Sequence, residues 1–310
     1  MANIVFAWET GAGFGHMVHY LHILRSLVSR GHRVTFILRD VSRAEQFLAP
    51  VGVSYLQAPI RTSPVENHLR NPYTFAHVLH NIGFDRADTL FSHISAWRSL
   101  FRLLSPDVVV FDHSPTAVLA SQGLSYGKLL TGIPFAVPAD TSPLPNLRFW
   151  ESPESDLLYA DEQKTLDVIN AVLARMDCPA LPTVASLFRG IRKAFTCIPE
   201  LDAYDRPQTD DLVYCGSFAA GGGLQPAWPS GDKPKVFAYL KPFAALPSLL
   251  AMLEKLKLPS LIYIDRLDPK IRSQFGSELI RFVPQPVNIA EVANECDYAI
   301  LNGTLNTSVQ

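Results

Sequence analysis

The sequence predicts an α/β fold with two domains, each built around a parallel sheet, of which the second is incomplete. Three observations lead to this prediction. Short apolar runs alternate with segments of helical period, which is the pattern of repeated βα units. A stretch rich in Gly and Pro then interrupts the 310-residue chain. After that stretch the same alternation begins again, and it stops at Gln310 just as a new helix should start.

The first domain is assigned to residues 1–216. Its predicted strands are 3–8, 33–38, 54–57, 107–111 and 195–198, and its helical segments are 17–29, 41–48, 73–104 and 156–175. The run DVVVF at 107–111 has no polar face, which is typical of a parallel strand buried on both sides. The polar, Pro-bearing segment 59–72 is a long loop, and such loops in compact domains are usually functional or mobile.

A linker is predicted at 217–234, where AAGGG and three prolines shift the composition. The second domain, 235–310, repeats the rhythm with strands at 236–240, 260–264, 280–282 and 298–301 and helices at 246–256 and 288–294. This segment is shorter than the roughly 100–150 residues commonest for a domain. We therefore expect a partial, C-terminally truncated second domain.

Composition excludes several classes of partner. Lys and Arg number 27 against 29 Asp and Glu, so no strong field attracts nucleic acid or anionic lipid. Four scattered cysteines lack any Cys-x-x-Cys pair, which fits a reducing cytoplasm and no structural zinc. There is no signal-peptide pattern. The stretch 97–104 has the basic and apolar pattern of a weak peripheral membrane contact, although a buried helix face is the favoured interpretation.

The glycine loop after the first strand leaves two interpretations open. Gly13 and Gly15 let the backbone approach a ligand at the start of the first helix. A dinucleotide fingerprint would need glycine where His16 stands, and only Asp40 supports it, so an oxidoreductase is the weaker alternative. The other interpretation makes His16 a general base at the carboxyl edge of the sheet. His16 can also simply cap or pack the helix.

The segment 6–38, FAWETGAGFGHMVHYLHILRSLVSRGHRVTFIL, resembles the opening of sugar-nucleotide glycosyltransferases of the GT-B type, the UDP-glycosyltransferases and macrolide glycosyltransferases. The resemblance implies two Rossmann-like domains, the first for the acceptor and the second for the donor. It also implies that His16 is the general base and that Asp112, which follows DVVVF, hydrogen-bonds it. Without the resemblance, Asp112 can equally be a solvated residue at a strand end.

The resemblance extends to the donor domain. Phe282–Gln285 (FVPQ) stands where the family has Trp-x-Pro-Gln, and 302–307 (NGTLNT) stands where it has His-x-Gly-x-Asn-Ser. The implied roles are nucleobase contacts by Phe282 and Gln285, and diphosphate binding by the second segment, with donor-binding residues Asn302, Gly303, Asn306 and Thr307. Core packing is the alternative for Phe282. Asn302 replaces the phosphate-binding histidine of the family, and Lys241-Pro242 replaces its Gly-Ser turn.

The resemblance implies an inverting glycosyltransferase that moves a sugar from a nucleotide-diphosphate sugar, a UDP-sugar, to a hydroxyl acceptor. The acceptor is a small molecule, lipid or glycan, and neither a cofactor nor a metal is expected. The chain stops before the family's Gly-x-Pro and Asp-Gln segments, so a non-catalytic, truncated binding protein is the alternative.

Overall fold

The computed structural model describes residues 1–11, 15–217, 223–303 and 305–309, except for the side chains of residues 305 and 306. The chain divides into two compact units, Met1–Phe218 and Ala219–Gln310. Each unit contains its own parallel sheet. The α/β class with two parallel sheets, as predicted from the sequence, is therefore confirmed.

The sheet of the first unit has seven strands in the order β3-β2-β1-β4-β5-β6-β7, all parallel. The strands are β1 Asn3–Trp8, β2 Arg33–Leu38, β3 Ser54–Gln57, β4 Val108–Asp112, β5 Gly127–Gly132, β6 Arg192–Phe195 and β7 Leu212–Tyr214. The strand order reverses between β1 and β4. In open α/β sheets, ligands bind beyond the carboxyl ends of the strands at such a switch point.

Within the described residues of the first unit, seven α-helices connect these strands: α1 Gly15–Val18, α2 Leu21–Ser29, α3 Ala44–Phe47, α4 Phe75–Ile82, α5 Ala87–Leu104, α6 Pro115–Ala120 and α7 Ser155–Arg175. The segments predicted as single helices at 17–29 and 73–104 are each two helices. The last strand is β7 rather than 195–198, where β6 ends at Phe195. The strand β5 and the helix α6 are additional to the sequence prediction.

Helices α1 and α2 cover one face of the sheet. The cluster beneath them includes Phe6, Trp8, Met17, Tyr20 and Phe36, each no more than 3% exposed. Burial of aromatic side chains of this size contributes strongly to the stability of a core. The packing fixes α1 against the ends of β1 and β2, which places the residues of its first turn beside the switch point.

The stretch 97–104 lies on α5, and its aromatic residues are internal. Trp97 and Phe101 are 0% and 1% exposed and pack tilted against each other. The buried-face interpretation therefore holds for them, and nothing supports the membrane contact expected as an alternative. None of the helices within the described ranges combines the length and apolarity needed to cross a membrane.

The second unit has a four-stranded parallel sheet in the order β10-β9-β8-β11. Its strands are β8 Val236–Leu240, β9 Ser260–Ile264, β10 Ile280–Val283 and β11 Tyr298–Leu301, and its helices are α8 Leu246–Leu256, α9 Pro269–Phe275, α10 Ile289–Glu295 and α11 Leu305–Val309. Apolar clusters lie on both faces of this sheet. Leu224, from the segment predicted as a linker, pairs with Val287 of the same unit.

Candidate active site

A histidine and an aspartate meet at the carboxyl edge of the first sheet, at the switch point. Trp8 and Asp112 end the neighbouring strands β1 and β4 and are paired in register. His16 lies in the first turn of α1. The His16 Nδ1 atom lies 2.9 Å from Asp112 Oδ2. The structure thus brings together the two residues predicted to form the base and its partner.

The burial of Asp112 determines which ring nitrogen of His16 carries the proton. The side chain of Asp112 is 2% exposed and that of His16 is 19% exposed. A buried carboxylate needs hydrogen-bond donors, so the favoured tautomer of His16 carries its proton on Nδ1 and donates it to Asp112. That tautomer leaves a lone pair on Nε2, the atom that can accept a proton from a ligand. The other carboxylate oxygen, Oδ1, is buried and accepts no hydrogen bond from the part of the chain that the structure describes.

Two glycines make room for the pair. A Cβ atom added to Gly11 would lie 2.7 Å from His16 Nε2, and a Cβ added to Gly132 would clash with Asp112 Oδ1. Both glycines have positive φ, +88° and +89°, where larger residues are strained. Gly132 ends β5, which is the neighbour of β4. Its role was missed from the sequence because the signal is a contact between adjacent strands.

Two further histidines surround the pair. His113 presents its ring edge-on to His16, with centroids 4.7 Å apart. Burial lowers the pKa of His113 to about 4, and burial also lowers the pKa of His19. Both therefore stay neutral near pH 7. The ligand atoms of His16, Asp112 and His113 lie within 4.8 Å of one another, which is a set that can hold a metal ion. The sequence-based expectation of a reaction without metal stays a prediction.

A cavity of about 240 Å³ lies beside the end of β1. Glu9, which follows the last residue of β1, lines it together with Arg39, His68 and His93. The Glu9 carboxyl accepts hydrogen bonds from Trp97 Nε1, at 3.0 Å, and from the Thr116 amide, at 2.5 Å. Burial raises the pKa of Glu9 to about 8 despite these donors. The sequence analysis missed Glu9, although a carboxyl directly after a buried strand is a usable signal.

The loops predicted to bind the donor lie at the carboxyl edge of the second sheet. Gln285 is exposed, whereas Phe282 is half-buried and packs against the apolar cluster of β8 and β9. Its packing matches the alternative stated for Phe282. Asn302 and Gly303 are exposed and follow β11, where Asn302 Oδ1 accepts a hydrogen bond from the Lys241 amide.

The remaining predicted residues are only partly covered by the structure. Gly15 is exposed and begins α1, whereas Gly13 lies outside the described residues. Thr307 is half-buried within α11, and the side chain of Asn306 is not among those described. The structure therefore locates Gly15 and Thr307 without testing their predicted roles.

Among sequences, no family model matches the chain. The protein UDP-glycosyltransferase 79B5 of Arabidopsis thaliana is 33% identical over 106 residues. The match spans 32% of this chain and only 22% of the length of that protein. Sequence similarity of this extent does not by itself assign an activity.

Solved structures are similar over almost the whole chain. The calicheamicin glycosyltransferase CalG4 has a TM-score of 0.68 at 14% identity, over 99% of this chain and 77% of that one. The glycosyltransferase VinC, in complex with dTDP, has a TM-score of 0.58 at 12% identity, over the same shares of the two chains. Phytolacca americana UGT2, complexed with UDP-2-fluoro-glucose and pterostilbene, has a TM-score of 0.55 at 14% identity, again over 99% and 77%. The chain therefore has the GT-B fold of the glycosyltransferases, as its sequence resemblance implied.

Proposed function

We propose that this protein is an inverting glycosyltransferase that moves a sugar from a nucleotide-diphosphate sugar to a hydroxyl acceptor. The observation that carries the proposal is the 2.9 Å hydrogen bond between His16 Nδ1 and the buried carboxylate of Asp112. It holds the imidazole in the tautomer that has a free lone pair on Nε2. The GT-B fold and the matched segment of a UDP-glycosyltransferase support the same reaction class.

The proposed reaction is a single displacement. His16 Nε2 takes the proton of the acceptor hydroxyl as the oxygen forms a bond to the anomeric carbon. The bond from that carbon to the phosphate oxygen breaks, and the nucleoside diphosphate leaves with the electron pair. Asp112 stabilises the imidazolium that results, because its charge is buried and hydrogen-bonded to Nδ1. A phosphate is already a good leaving group, so the proposal uses no metal and no general acid.

The acceptor is assigned to the first unit and the donor to the second. The cavity lined by Glu9 and Thr10 lies at the end of β1, the strand that pairs with β4 and its last residue Asp112, and its volume suits part of a small molecule, lipid or glycan. In the second unit, exposed polar groups at Gln285, Asn302 and Gly303 are available to a nucleotide. VinC and Phytolacca americana UGT2 were solved with dTDP and a UDP-sugar analogue, so both nucleotides belong in the test.

The test is direct detection of transfer and of its stereochemistry. The protein is incubated with UDP-glucose or dTDP-glucose, both α-linked, and a panel of phenolic and alcoholic acceptors. Proton NMR of the product gives the anomeric configuration, and the proposal predicts a β-glycoside. An α-glycoside would contradict the inverting mechanism, and no product with any pair would contradict the proposed activity.

A non-catalytic binding protein is the second candidate. It is favoured by the Asn302 side chain, whose oxygen is engaged by the Lys241 amide, in place of the phosphate-binding histidine of the resembled family. Calorimetry with UDP and dTDP separates the two candidates. The transferase predicts measurable binding of at least one nucleotide, whereas the binding protein predicts none.

A further inference from the structure

We infer that the cavity at the end of β1 binds a compound that carries a carboxylate, and that the guanidinium of Arg39 is the group that selects it. The cavity has a volume of about 240 Å³, and the ionisable side chains of its lining are Glu9, Arg39, Arg61, His68 and His93. That this compound is the sugar acceptor rests on the proposed function. Recognition of its carboxylate by Arg39 does not.

The guanidinium of Arg39 is anchored at the cavity but keeps free donors. Arg39 directly follows β2, the neighbour of β1, and its Nη1 donates a hydrogen bond to the carbonyl oxygen of Glu9 at 3.1 Å. The carbonyl of Arg39 accepts a hydrogen bond from Gln57 Nε2 at 2.7 Å, which holds the backbone in place. A guanidinium has five N–H groups, so those that Glu9 does not use are available to a ligand.

Arg39 has no carboxylate partner within the described chain. The ion pairs of the described residues do not include it. The next residue, Asp40, accepts a hydrogen bond from the Ser42 amide at 2.8 Å and does not line the cavity. The residues outside the described ranges include no Asp or Glu. The charge of Arg39 is therefore left for a ligand to balance.

No ionised carboxyl among the described lining residues opposes an anion in the cavity. The charge of Arg61 is balanced by Asp85 at 2.6 Å, and its other donors bind the carbonyl oxygens of Ser63 and Pro64. The Glu9 carboxyl is 4% exposed, and burial raises its pKa to about 8, so it is neutral at pH 7. The two histidines of the lining can add only positive charge. The lining therefore has a net positive charge.

The remaining lining and the volume define the body of the ligand. The apolar side chains of the cavity are those of Pro59, Ile60, Val65, Ile82 and Leu90. A volume of about 240 Å³ is smaller than the roughly 300–1,000 Å³ of sites for drug-sized molecules, so it suits a single ring or a short chain. One guanidinium balances the single charge of a carboxylate, whereas a phosphate monoester carries about −1.5 to −2. A small hydroxy acid with an apolar body combines these properties.

The test is a binding measurement on the full chain, by calorimetry at pH 7 and without a sugar donor. The ligands are para-hydroxybenzoate and para-hydroxyphenylpropanoate, each compared with its methyl ester, which keeps the ring and removes the charge. We expect the wild type to bind each acid about tenfold more tightly than its ester, because a hydrogen bond from Arg39 to a carboxylate is charge-assisted.

Three variants assign the preference to one side chain. Arg39 is exposed, so its replacement should not prevent folding. Arg39→Gln should bind each acid within about twofold of its ester, whereas Arg39→Lys, which keeps the charge but loses the planar fork, should retain a preference of about threefold. Arg33→Gln is the matched control, because Arg33 is exposed at the opposite end of the same strand and does not line the cavity. It should bind like the wild type.

Four outcomes would overturn the inference. They are a wild type that binds neither acid, one that binds the esters as tightly as the acids, an Arg39→Gln protein that keeps the preference, and an Arg33→Gln protein that loses it equally. A further ligand, para-hydroxyphenyl phosphate, distinguishes the two kinds of anion. Tighter binding of this phosphate than of either acid would contradict the assignment to a carboxylate.

Turnover separates this inference from the proposed function. With the acids as acceptors, Arg39→Gln should raise KM about tenfold and leave kcat unchanged, because the contact is made equally before and during transfer. KM for the esters should not change. A wild type that transfers sugar to neutral acceptors without preferring acids would contradict the inference alone. A wild type that transfers no sugar would contradict the proposed function, and the comparison of acid with ester still decides the role of Arg39.

Discussion

The strand order of the second sheet also occurs in the first, but different side chains stand at the two switch points. β3-β2-β1-β4 in the first unit and β10-β9-β8-β11 in the second have the same parallel connectivity. At the first switch point, a buried carboxylate and a stacked indole contact an imidazole. At the second, the side chain of Asn302 accepts from the Lys241 amide, and both residues are exposed.

The two units also differ in the polar residues that they bury. Among the described residues of the first unit, the buried polar set includes Glu9, His19, His77, Asp112 and Glu162, whereas in the second unit it consists of Ser260. Buried ionisable groups cost stability and concentrate at functional sites. The two units therefore share the topology of the switch point and differ in the residues at the strand ends, which are a buried ionisable pair in the first unit and exposed polar residues in the second.

The largest effects should come from the pair in the first unit. His16→Ala should lower kcat about 10³-fold and Asp112→Asn about 10²-fold, because a positioned base contributes about 10² to 10⁴. UDP affinity, assigned to the second unit, should change by less than about twofold, as expected for independent sites. Steady-state kinetics and calorimetry measure the two quantities. Loss of UDP binding in either variant would contradict the proposal that the first unit carries the general base and the second binds the nucleotide.

A glycine substitution tests how tightly the end of β5 packs against Asp112. Gly132→Ala should lower the free energy of unfolding by about 3 kcal/mol, because the new Cβ clashes with Asp112 Oδ1 at a positive φ. Gly190→Ala is the matched control, since φ is +72° there but the added Cβ would have no described atom within 4 Å apart from its chain neighbours. Its cost should be about 1 kcal/mol. Equal costs in urea unfolding would show that backbone strain alone accounts for the effect.

One substitution makes the switch point of the second unit more similar to that of the resembled glycosyltransferase family. Asn302→His introduces the imidazole that the resemblance places against the diphosphate, and we expect UDP to bind about fivefold more tightly through an added N–H donor. Asn294→His, at an exposed position of α10, is the control and should have no effect. Calorimetry measures both. Unchanged affinity in Asn302→His would mean that this loop does not contact the phosphates.

A separate prediction concerns Glu9 and the pH dependence of stability. Burial raises its pKa from 4.5 to about 8, so the folded protein binds a proton that the unfolded chain releases between those values. The wild-type free energy of unfolding should therefore fall as pH rises from about 4.5 to about 8 and level off above that. Glu9→Gln should lack this fall. Urea unfolding across the range measures it, and parallel pH profiles for the two proteins would contradict the assignment.

Buried strands were the elements most readily predicted from the sequence. The strands β1, β2, β3, β8, β9 and β11 have the predicted bounds, and β1 and β8 are the continuous apolar runs that are typical of parallel strands. Helix breaks were not predicted, since the helical period continues through Gly83, where α4 ends. Helix α6 was missed because all six of its residues are buried, so it has no polar face to mark its period.

The candidate site was predictable only where residues stand in a motif at the end of a strand or at the start of the helix that follows it. His16 and Asp112 are such residues, and the structure places them within hydrogen-bonding distance. Trp8, Gly132 and His113 contact the pair across strands or around a turn. Those contacts depend on the register of β1, β4 and β5, which an apolar run does not specify.

A double-variant cycle at His16 and Asp112 measures most directly whether the two residues act as one catalytic unit. The kcat values of His16→Ala, Asp112→Asn and the combined variant are compared with the wild type. If Asp112 acts only through the imidazole, the combined variant should be within about threefold of His16→Ala alone. If the losses multiply instead, to about 10⁵-fold, the two side chains contribute independently, and the proposed action of Asp112 through the general base His16 is wrong.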